Sequence, residues 1–171
     1  TNLLAVNPDD DMFDFTQGYS GTLKNCYGVW ESGYTSTEAD PRGIEADGNL
    51  DGIYPDHLRQ SDFTVENMTI VDNAANTTDN VDRMQDVIKI RRGAKATITN
   101  ALVKGTGGTI DLIDMNDSKG AGNAASSISI TNTLNFKNKL NGTLNTFTEP
   151  TTNTGADVSL FTWTGYNLSS L

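Results

Sequence analysis

A segment of the form D-x-N-x-D-G is the first place in the sequence where residue types and spacing suggest chemistry. It reads Asp47-Gly48-Asn49-Leu50-Asp51-Gly52. Oxygen ligands at alternate positions can surround a hard cation, and glycine permits the tight turn. An EF-hand loop also carries glutamate at position 12, where this chain has Leu58, so Asp56 or Glu45 must substitute for it. The pattern predicts a structural Ca²⁺ site, with an Asp/Gly-rich turn without metal as the alternative. The predicted ligands are Asp47, Asn49, Asp51 and Asp56.

Two further acidic segments are weaker candidates for cation binding. Pro8-Asp9-Asp10-Asp11 is followed closely by Asp14, and adjacent carboxylates repel one another unless a cation or water relieves them. Asp114-Met115-Asn116-Asp117-Ser118 is a similar loop. A solvated loop is the alternative interpretation of both.

Arg91 and Arg92 form the densest positive charge in the chain. Neighbouring residues of a strand point to opposite sides, so only one of the two is expected to face outward. Four charged residues fall between apolar pairs and predict a stacked, ion-paired ladder on an outer sheet face; they are Asp14, Glu45, Lys89 and Asp111. The functional alternative is that these charges bind or cleave a charged sugar.

Aromatic residues concentrate in the first third of the sequence, and aromatic faces can stack on sugar rings. The candidate glycan contacts are Tyr19, Trp30, Tyr34 and Tyr54, together with Arg91 and Arg92. Core packing is the alternative explanation for the aromatic residues. His57 is the only histidine, so neither a Ser-His-Asp arrangement nor a histidine metal cluster can be argued, and we expect His57 to lie exposed in a loop.

An internal repeat predicts the elements that position these residues. Four segments, 22–29, 64–71, 97–103 and 129–136, each contain an asparagine at the same relative place. An Asn at one bend of every coil can hydrogen-bond along a stack and tolerates a left-handed backbone. The predicted ladder consists of Asn25, Asn67, Asn100 and Asn132.

A second series of short alternating segments precedes the first, with the period of a half-buried strand. Its expected inward pairs are Phe13/Phe15, Ile44/Ala46, Ile88/Ile90 and Ile110/Leu112. Two series in a constant order predict an all-β fold, a right-handed single-stranded parallel β-helix of about four coils with loop insertions. A β-sandwich is the alternative.

The predicted boundaries are residues 1–136 for the coils and residues 137–171 for a C-terminal segment that folds back over the last coil. We expect Phe13 and Phe15 to belong to a coil that lies open at the N-terminal end. Further coils or another protein chain would then cover that end.

The composition of the chain disfavours several classes of function and partner. The 171 residues carry a net charge of −10, which disfavours nucleic acid and anionic lipid as partners. No apolar stretch approaches the roughly 18 residues that a membrane-spanning helix needs. Cys26 is the only cysteine, which excludes an internal disulfide and fits a small buried side chain in a strand.

Several motifs resemble a family of large secreted or cell-surface β-helix proteins that is common in Bacteroidetes and some marine bacteria. Residues 9–21 (DDDMFDFTQGYSG) resemble the family's DDxFDFxxGYxG segment, and residues 43–47 (GIEAD) and 88–93 (IKIRRG) follow in the same order. Residues 63–71 and 97–103 resemble two further coils of the family. The resemblance implies an exported protein, at the exterior of a bacterial outer membrane or secreted, and it implies no catalytic residues.

Two functions remain open from the sequence. The favoured one is a non-catalytic exported module with a structural, adhesive or glycan-binding role. The alternative is a polysaccharide-active enzyme, a lyase or glycoside hydrolase, because parallel β-helices host such enzymes; it would need paired carboxylates or a base beside a bound uronate.

Overall fold

The computed structural model describes residues 1–54, 56–74 and 83–171, except for the side chains of residues 50 and 51. Its strands form two parallel sheets. The six-stranded sheet runs in the order β1 (Leu3–Val6), β3 (Ser20–Trp30), β5 (Asp62–Asp72), β7 (Lys95–Gly105), β9 (Ser127–Asn132) and β11 (Thr146–Thr148). The five-stranded sheet runs in the order β2 (Phe13–Phe15), β4 (Arg42–Ala46), β6 (Asp86–Ile90), β8 (Thr109–Asp114) and β10 (Phe136–Asn138).

The chain alternates between the two sheets, and every strand pairs in parallel with the equivalent strand of the next coil. This is a parallel β-helix, as the repeat predicts. Five consecutive coils, each with one strand in either sheet, are present in the described residues, against the expected number of about four. Three short 3-10 helices, Asn49–Gly52, Val158–Thr164 and Leu168–Ser170, lie outside the coils.

Stacked aliphatic side chains fill the space between the sheets. One column of the six-stranded sheet consists of Leu23, Val65, Ile98 and Ile128, and the next consists of Cys26, Met68, Ala101 and Ile130. The second column is almost completely buried, so Cys26 lies in the core as expected. Like residues stack because each coil repeats the backbone path of the coil before it.

A bend in the long strands separates these two columns, and asparagine occupies it. Asn25, Asn67 and Asn100 have φ of 55°, 60° and 52°, the left-handed region that Asn tolerates. Each amide group donates to the side-chain oxygen of the coil before it: Asn100 to Asn67 at 2.8 Å and Asn67 to Asn25 at 3.3 Å. Asn2 extends this ladder, since it accepts from Asn25 at 3.2 Å.

Asn132 lies outside the ladder, contrary to its expected place there. Ile98 pairs with Ile128 and Ala101 pairs with Ile130, so β9 has one residue fewer than β7 at the bend. Asn132 therefore pairs with Val103, and its amide donates to Glu149. Thr97 pairs with Ser127 and not with Ser129, so the sequence alignment of this segment is displaced by two residues before the bend and, because β9 lacks one residue there, by three residues after it.

In the second series of strands, the fourth member, β8, pairs in a different register from the one that the sequence predicts. Ile88 pairs with Ile113, so the expected inward pair Ile110/Leu112 is wrong for Ile110, which is only half-buried. At the N-terminal end, Phe13 and Phe15 are buried rather than open. The ring of Phe15 stacks on that of Phe63 with a centroid separation of 4.0 Å.

The C-terminal segment takes a path along the side of the coils. Strands β10 and β11 continue both sheets, so the coils extend to residue 148 and the boundary predicted at residue 136 is too early. Beyond it, Thr154 donates its backbone N–H to Asn100 Oδ1 at 2.7 Å, and Lys104 donates to the carbonyl of Leu171 at 2.6 Å. Phe161 packs beside Tyr27 in a second apolar cluster. The tail thus covers the outer face of the six-stranded sheet.

Candidate functional surfaces

The five-stranded sheet carries two columns of polar side chains. In β6, Asp86 and Lys89 belong to these columns, while Val87 and Ile88 between them lie in the core. The first column is Arg42, Asp86, Asp111 and Asn138, and the second is Asp14, Glu45, Lys89 and Asp114. The predicted ladder is thus correct for Asp14, Glu45 and Lys89, and wrong for Asp111, whose place Asp114 takes.

Two successive buried apolar residues explain that error. Strict alternation would place every second residue outward, whereas these strands place two apolar residues between the polar columns. The residue pattern polar-apolar-apolar-polar-apolar occurs at Asp86–Ile90 and again at residues 111–115. The recurrence of this five-residue form is the sequence signal that gives the correct register.

Ion pairs join the charged residues across coils. Arg91 contacts Glu45 at 2.7 Å and Asp47 at 2.9 Å, and Arg92 contacts Asp47 at 3.1 Å and Asp117 at 3.0 Å. Both arginines reach the same carboxylate, contrary to the expectation that only one faces outward. β6 ends at Ile90 and Arg92 has a φ of 55°, so the pair lies in a turn.

Three further residues of these columns take part in ion pairs with Arg42 or with one another. Arg42 pairs with Glu45 and, at 3.3 Å, with Asp86, while Lys89 pairs with Asp114. All five side chains are at most 13 % exposed. Such pairs are costly to break, because removal of one partner leaves an uncompensated buried charge.

Burial shifts the protonation of these groups. It raises the pKa of Asp11 to about 8, and that of Glu45 to about 7 despite the opposing effect of Arg42. Burial alone would lower the pKa of Arg42 and Arg91, but their neighbours outweigh it, above all Glu45 for Arg42 and Asp47 for Arg91, and raise both pKa values. Both guanidinium groups are therefore held in the protonated form.

The residues of the predicted calcium loop contact different partners in the structure. Asp47 is buried against Arg91 and Arg92, and Asn49 donates its amide to the carbonyl of Arg59 at 3.1 Å. Asp56 is exposed, and the side chain of Asp51 lies outside the described residues. A calcium site here stays a prediction.

Other acidic groups come together that the sequence does not link. Carboxylate oxygens of Asp86, Asp111 and Asp114 lie within 4.8 Å of one another. Each has a partner: Arg42 for Asp86, Asn138 for Asp111 at 2.7 Å, and Lys89 for Asp114. In the other two candidate segments, Asp9 accepts from the backbone of Thr37 at 2.7 Å, and Asp117 is paired with Arg92.

The candidate glycan contacts divide by exposure. Trp30 is fully buried, donates its indole N–H to the carbonyl of Pro8 at 3.0 Å and packs against Tyr34, so it is not a surface contact. Arg91 and Arg92 are committed to ion pairs. Tyr19 is 38 % exposed with its ring tilted against Phe15.

Residues 53, 54 and 56–60, which we name the aromatic loop, present the most accessible apolar side chains among the described residues of the first coils. Ile53 is 68 %, Tyr54 53 % and Leu58 100 % exposed. Ile53, Tyr54, Asp56 and His57 line a shallow cavity of about 370 Å³, and His57 is exposed as expected.

Hydrogen bonds hold the aromatic loop in place. The amide of Gln60 donates to the carbonyl of Tyr54 at 3.0 Å and to that of His57 at 3.2 Å. The backbone N–H of Arg59 donates to His57 Nδ1 at 3.1 Å. These hydrogen bonds fix the backbone that carries the exposed side chains, and of the exposed apolar side chains here the sequence pointed to Tyr54 alone.

One of the comparisons with known proteins gives a match. The profile of a family described as a pectate-lyase-like β-helix domain matches residues 1–166. No curated protein and no solved structure matches the chain significantly. In the part of the chain that the structure describes, no helix has the length and apolar character to cross a membrane.

Proposed function

This chain belongs to the family of pectate-lyase-like β-helix domains, and we propose on that premise that it binds polysaccharide without cleaving it. The protein would act as an exported or cell-surface module with an adhesive or glycan-binding role. The observation that carries the proposal is the aromatic loop, an ordered turn with an accessible tyrosine and adjacent polar groups.

The chemistry of that loop suits a sugar polymer. The face of Tyr54 offers an apolar platform, and its hydroxyl remains available to water or to a ligand. Asp56 and His57 line the same cavity and supply hydrogen-bonding groups beside the ring. An apolar surface with a few convergent polar groups is the usual composition of a small-ligand site.

The ion pairs of the charged columns support a structural role for them. Arg42 and Arg91 are held protonated by their carboxylate neighbours and so remain able to pair with them. Their ion pairs join consecutive coils, which supports a role in the architecture. The charged columns thus stabilise the scaffold that displays the aromatic loop.

Affinity electrophoresis through gels that contain polygalacturonan, methyl-esterified pectin or xylan tests the proposal. We expect retardation in at least one gel, and a loss of about tenfold or more in affinity for Tyr54→Ala, as for the removal of an aromatic anchor. Trp163→Ala is the matched control, because Trp163 is 71 % exposed in the C-terminal tail. Equal retardation of both variants would refute the assigned surface.

A turnover assay separates binding from catalysis. Lyase action creates a double bond whose ultraviolet absorbance increases with time, and hydrolysis creates reducing ends. We expect neither signal from any polymer that the protein binds. Steady turnover that Glu45→Gln abolishes would overturn the non-catalytic assignment and favour the enzyme.

A further inference from the structure

Hydroxyl side chains recur on the outer face of the six-stranded sheet, in the part of each strand that precedes the bend. They alternate with the core column that contains Val65 and Ile98, and so they point outward. One row takes a residue from each of five successive strands: Thr22, Thr64, Thr97, Ser127 and Thr146. On the other side of the core column, the last three of these strands contribute a second row: Thr99, Ser129 and Thr148. We name these eight residues the hydroxyl array.

The array is regular because every coil repeats one backbone path. The strands from β3 to β11 pair without a shift in register on this side of the bend, and the shift between β7 and β9 falls beyond Ile98. Side chains therefore repeat at about 4.8 Å across the strands and at about 6.6 Å along them. The longer row extends over about 19 Å. The hydroxyl groups thus form a lattice with a constant repeat in two directions.

The side chains of the array have little conformational freedom. Six of the eight residues are threonine, whose branched Cβ restricts the rotation of the side chain. The sequence shows the pattern hydroxyl-apolar-hydroxyl at residues 97–99, 127–129 and 146–148, where the central apolar residue packs in or against the core. The hydroxyl groups are therefore held near their positions before any ligand binds.

These hydroxyl groups are accessible to solvent. All eight residues are exposed or half-buried. In the part of the chain that the structure describes, Ser129 is the one member of the array whose hydroxyl takes part in a hydrogen bond, which it accepts from Asn153 at 3.3 Å. The other seven hydroxyl groups remain open to water or to a ligand.

The face that carries the array is uncharged on balance, although the chain has a net charge of −10. The charged residues beside the rows form two ion pairs between neighbouring strands. Lys24 pairs with Glu66 at 2.9 Å, and Lys95 pairs with Asp62 at 3.1 Å. A charged partner therefore gains little from this face, because each charge is compensated next to it. The array suits a partner that is itself uncharged.

The constant repeat decides which uncharged partner can use the whole array. A partner meets all eight hydroxyl groups together only if it repeats in two directions at the same distances, which a single flexible sugar chain does not. The oxygen atoms of ice form a lattice with repeats close to these, and water donates and accepts hydrogen bonds as a hydroxyl group does. Each contact contributes little by itself, but contacts on one rigid surface act together.

We propose that the hydroxyl array binds the surface of ice, so that the protein adsorbs to ice crystals and restrains their growth. This activity does not depend on the glycan binding assigned to the aromatic loop. The loop is an insertion after β4, whereas the array lies on strands of the six-stranded sheet.

Ice uptake and crystal growth test the inference on the full chain. A fluorescently labelled sample is frozen slowly from one end, and the fraction of protein in the ice is compared with that of serum albumin. We expect the protein to enter the ice while serum albumin is excluded. In a nanolitre osmometer, the freezing point should fall below the melting point, and the crystals should be facetted within that gap.

Thr99→Tyr tests the position of the ice-binding surface. Thr99 is exposed on the middle strand of the array, so a bulky ring there holds an ice lattice away from the neighbouring hydroxyl groups. Tyrosine is favourable in strands, and thermal melting should show a folded variant. Thr143→Tyr is the matched control, because Thr143 is an exposed threonine outside both rows. We expect Thr99→Tyr to lose most of the ice uptake and most of the freezing-point gap, and Thr143→Tyr to retain both.

Three outcomes would overturn the inference. The first is exclusion of the parent protein from ice without a freezing-point gap, and the second is an equal loss in both tyrosine variants. The third is loss of polysaccharide retardation in Thr99→Tyr with no ice uptake by the parent protein, which would make the array a glycan surface. Tyr54→Ala should retain full ice uptake, so failure of the aromatic loop and failure of the array can be recognised separately.

Discussion

Replacement of Asn67 tests whether the asparagine ladder stabilises the coils. Asn67 donates to Asn25 at 3.3 Å, accepts from Asn100 at 2.8 Å and has a φ of 60°. Alanine at this position loses both hydrogen bonds and must adopt a left-handed backbone without a favourable side chain. Glycine loses the same hydrogen bonds but accepts the backbone without strain.

The expected magnitudes follow from these two contributions. Two amide hydrogen bonds contribute about 1–3 kcal/mol together, and left-handed backbone at a residue with a Cβ costs roughly 1–2 kcal/mol. Asn67→Ala should therefore lower the free energy of unfolding by about 2–5 kcal/mol, and Asn67→Gly by about 1–3 kcal/mol. The difference between the variants isolates the backbone contribution.

Urea denaturation followed by circular dichroism measures both variants by linear extrapolation. Asn132→Ala is the control, because Asn132 lies outside the ladder and its amide meets the exposed carboxylate of Glu149, so we expect a change within about 0.5 kcal/mol. Equal destabilisation by alanine and glycine would refute the backbone argument. A glycine variant as stable as the parent protein would refute the contribution of the hydrogen bonds.

Two further predictions concern Asp72 and its neighbours. Burial raises the pKa of Asp72 from 3.8 to about 6, so the folded state retains this proton longer than the unfolded state; its contribution is complete below about pH 4 and is lost as the pH rises through 6. The loss of stability amounts to at most about 3 kcal/mol, at about 1.4 kcal/mol per pKa unit. The urea midpoints measured at pH 4.5 and at pH 7 should therefore differ less in Asp72→Asn than in the parent protein. If the two midpoints differ as much in the variant as in the parent, the assignment to Asp72 is wrong. A Cβ atom at Gly105 would lie 2.0 Å from the carbonyl oxygen of Asp72. Gly105→Ala should destabilise by about 3 kcal/mol or more, whereas Gly33→Ala, with open space around it, should cost about 1 kcal/mol; thermal melting compares them, and equal losses would contradict the close contact with Asp72.

The architecture could be predicted because every coil repeats the same local demands. Asparagine at the bend and aliphatic residues beside it are visible in the sequence at Asn25, Asn67 and Asn100. The register of β9 could not be predicted, because it differs from the repeat alignment by two residues before the bend, and the residue missing at the bend shifts Asn132 by one more. In the five-stranded sheet, we expected strict alternation of inward and outward residues, and the strands instead place two successive apolar residues in the core.

The exposure of the aromatic residues could not be predicted from the sequence, for a different physical reason. Tyr27 points away from the coil interior, yet it is buried because Phe161 of the tail packs on it, more than a hundred residues along the chain. Trp30 and Trp163 have the same chemistry and opposite exposure, so residue type alone does not identify a binding surface. The aromatic loop differs in that it lies in an insertion outside the strands, where stacking of coils does not bury Tyr54. Binding at Tyr54 therefore depends on the insertion, and the stability of the protein depends on the coils, so a variant such as Tyr54→Ala should change one without the other.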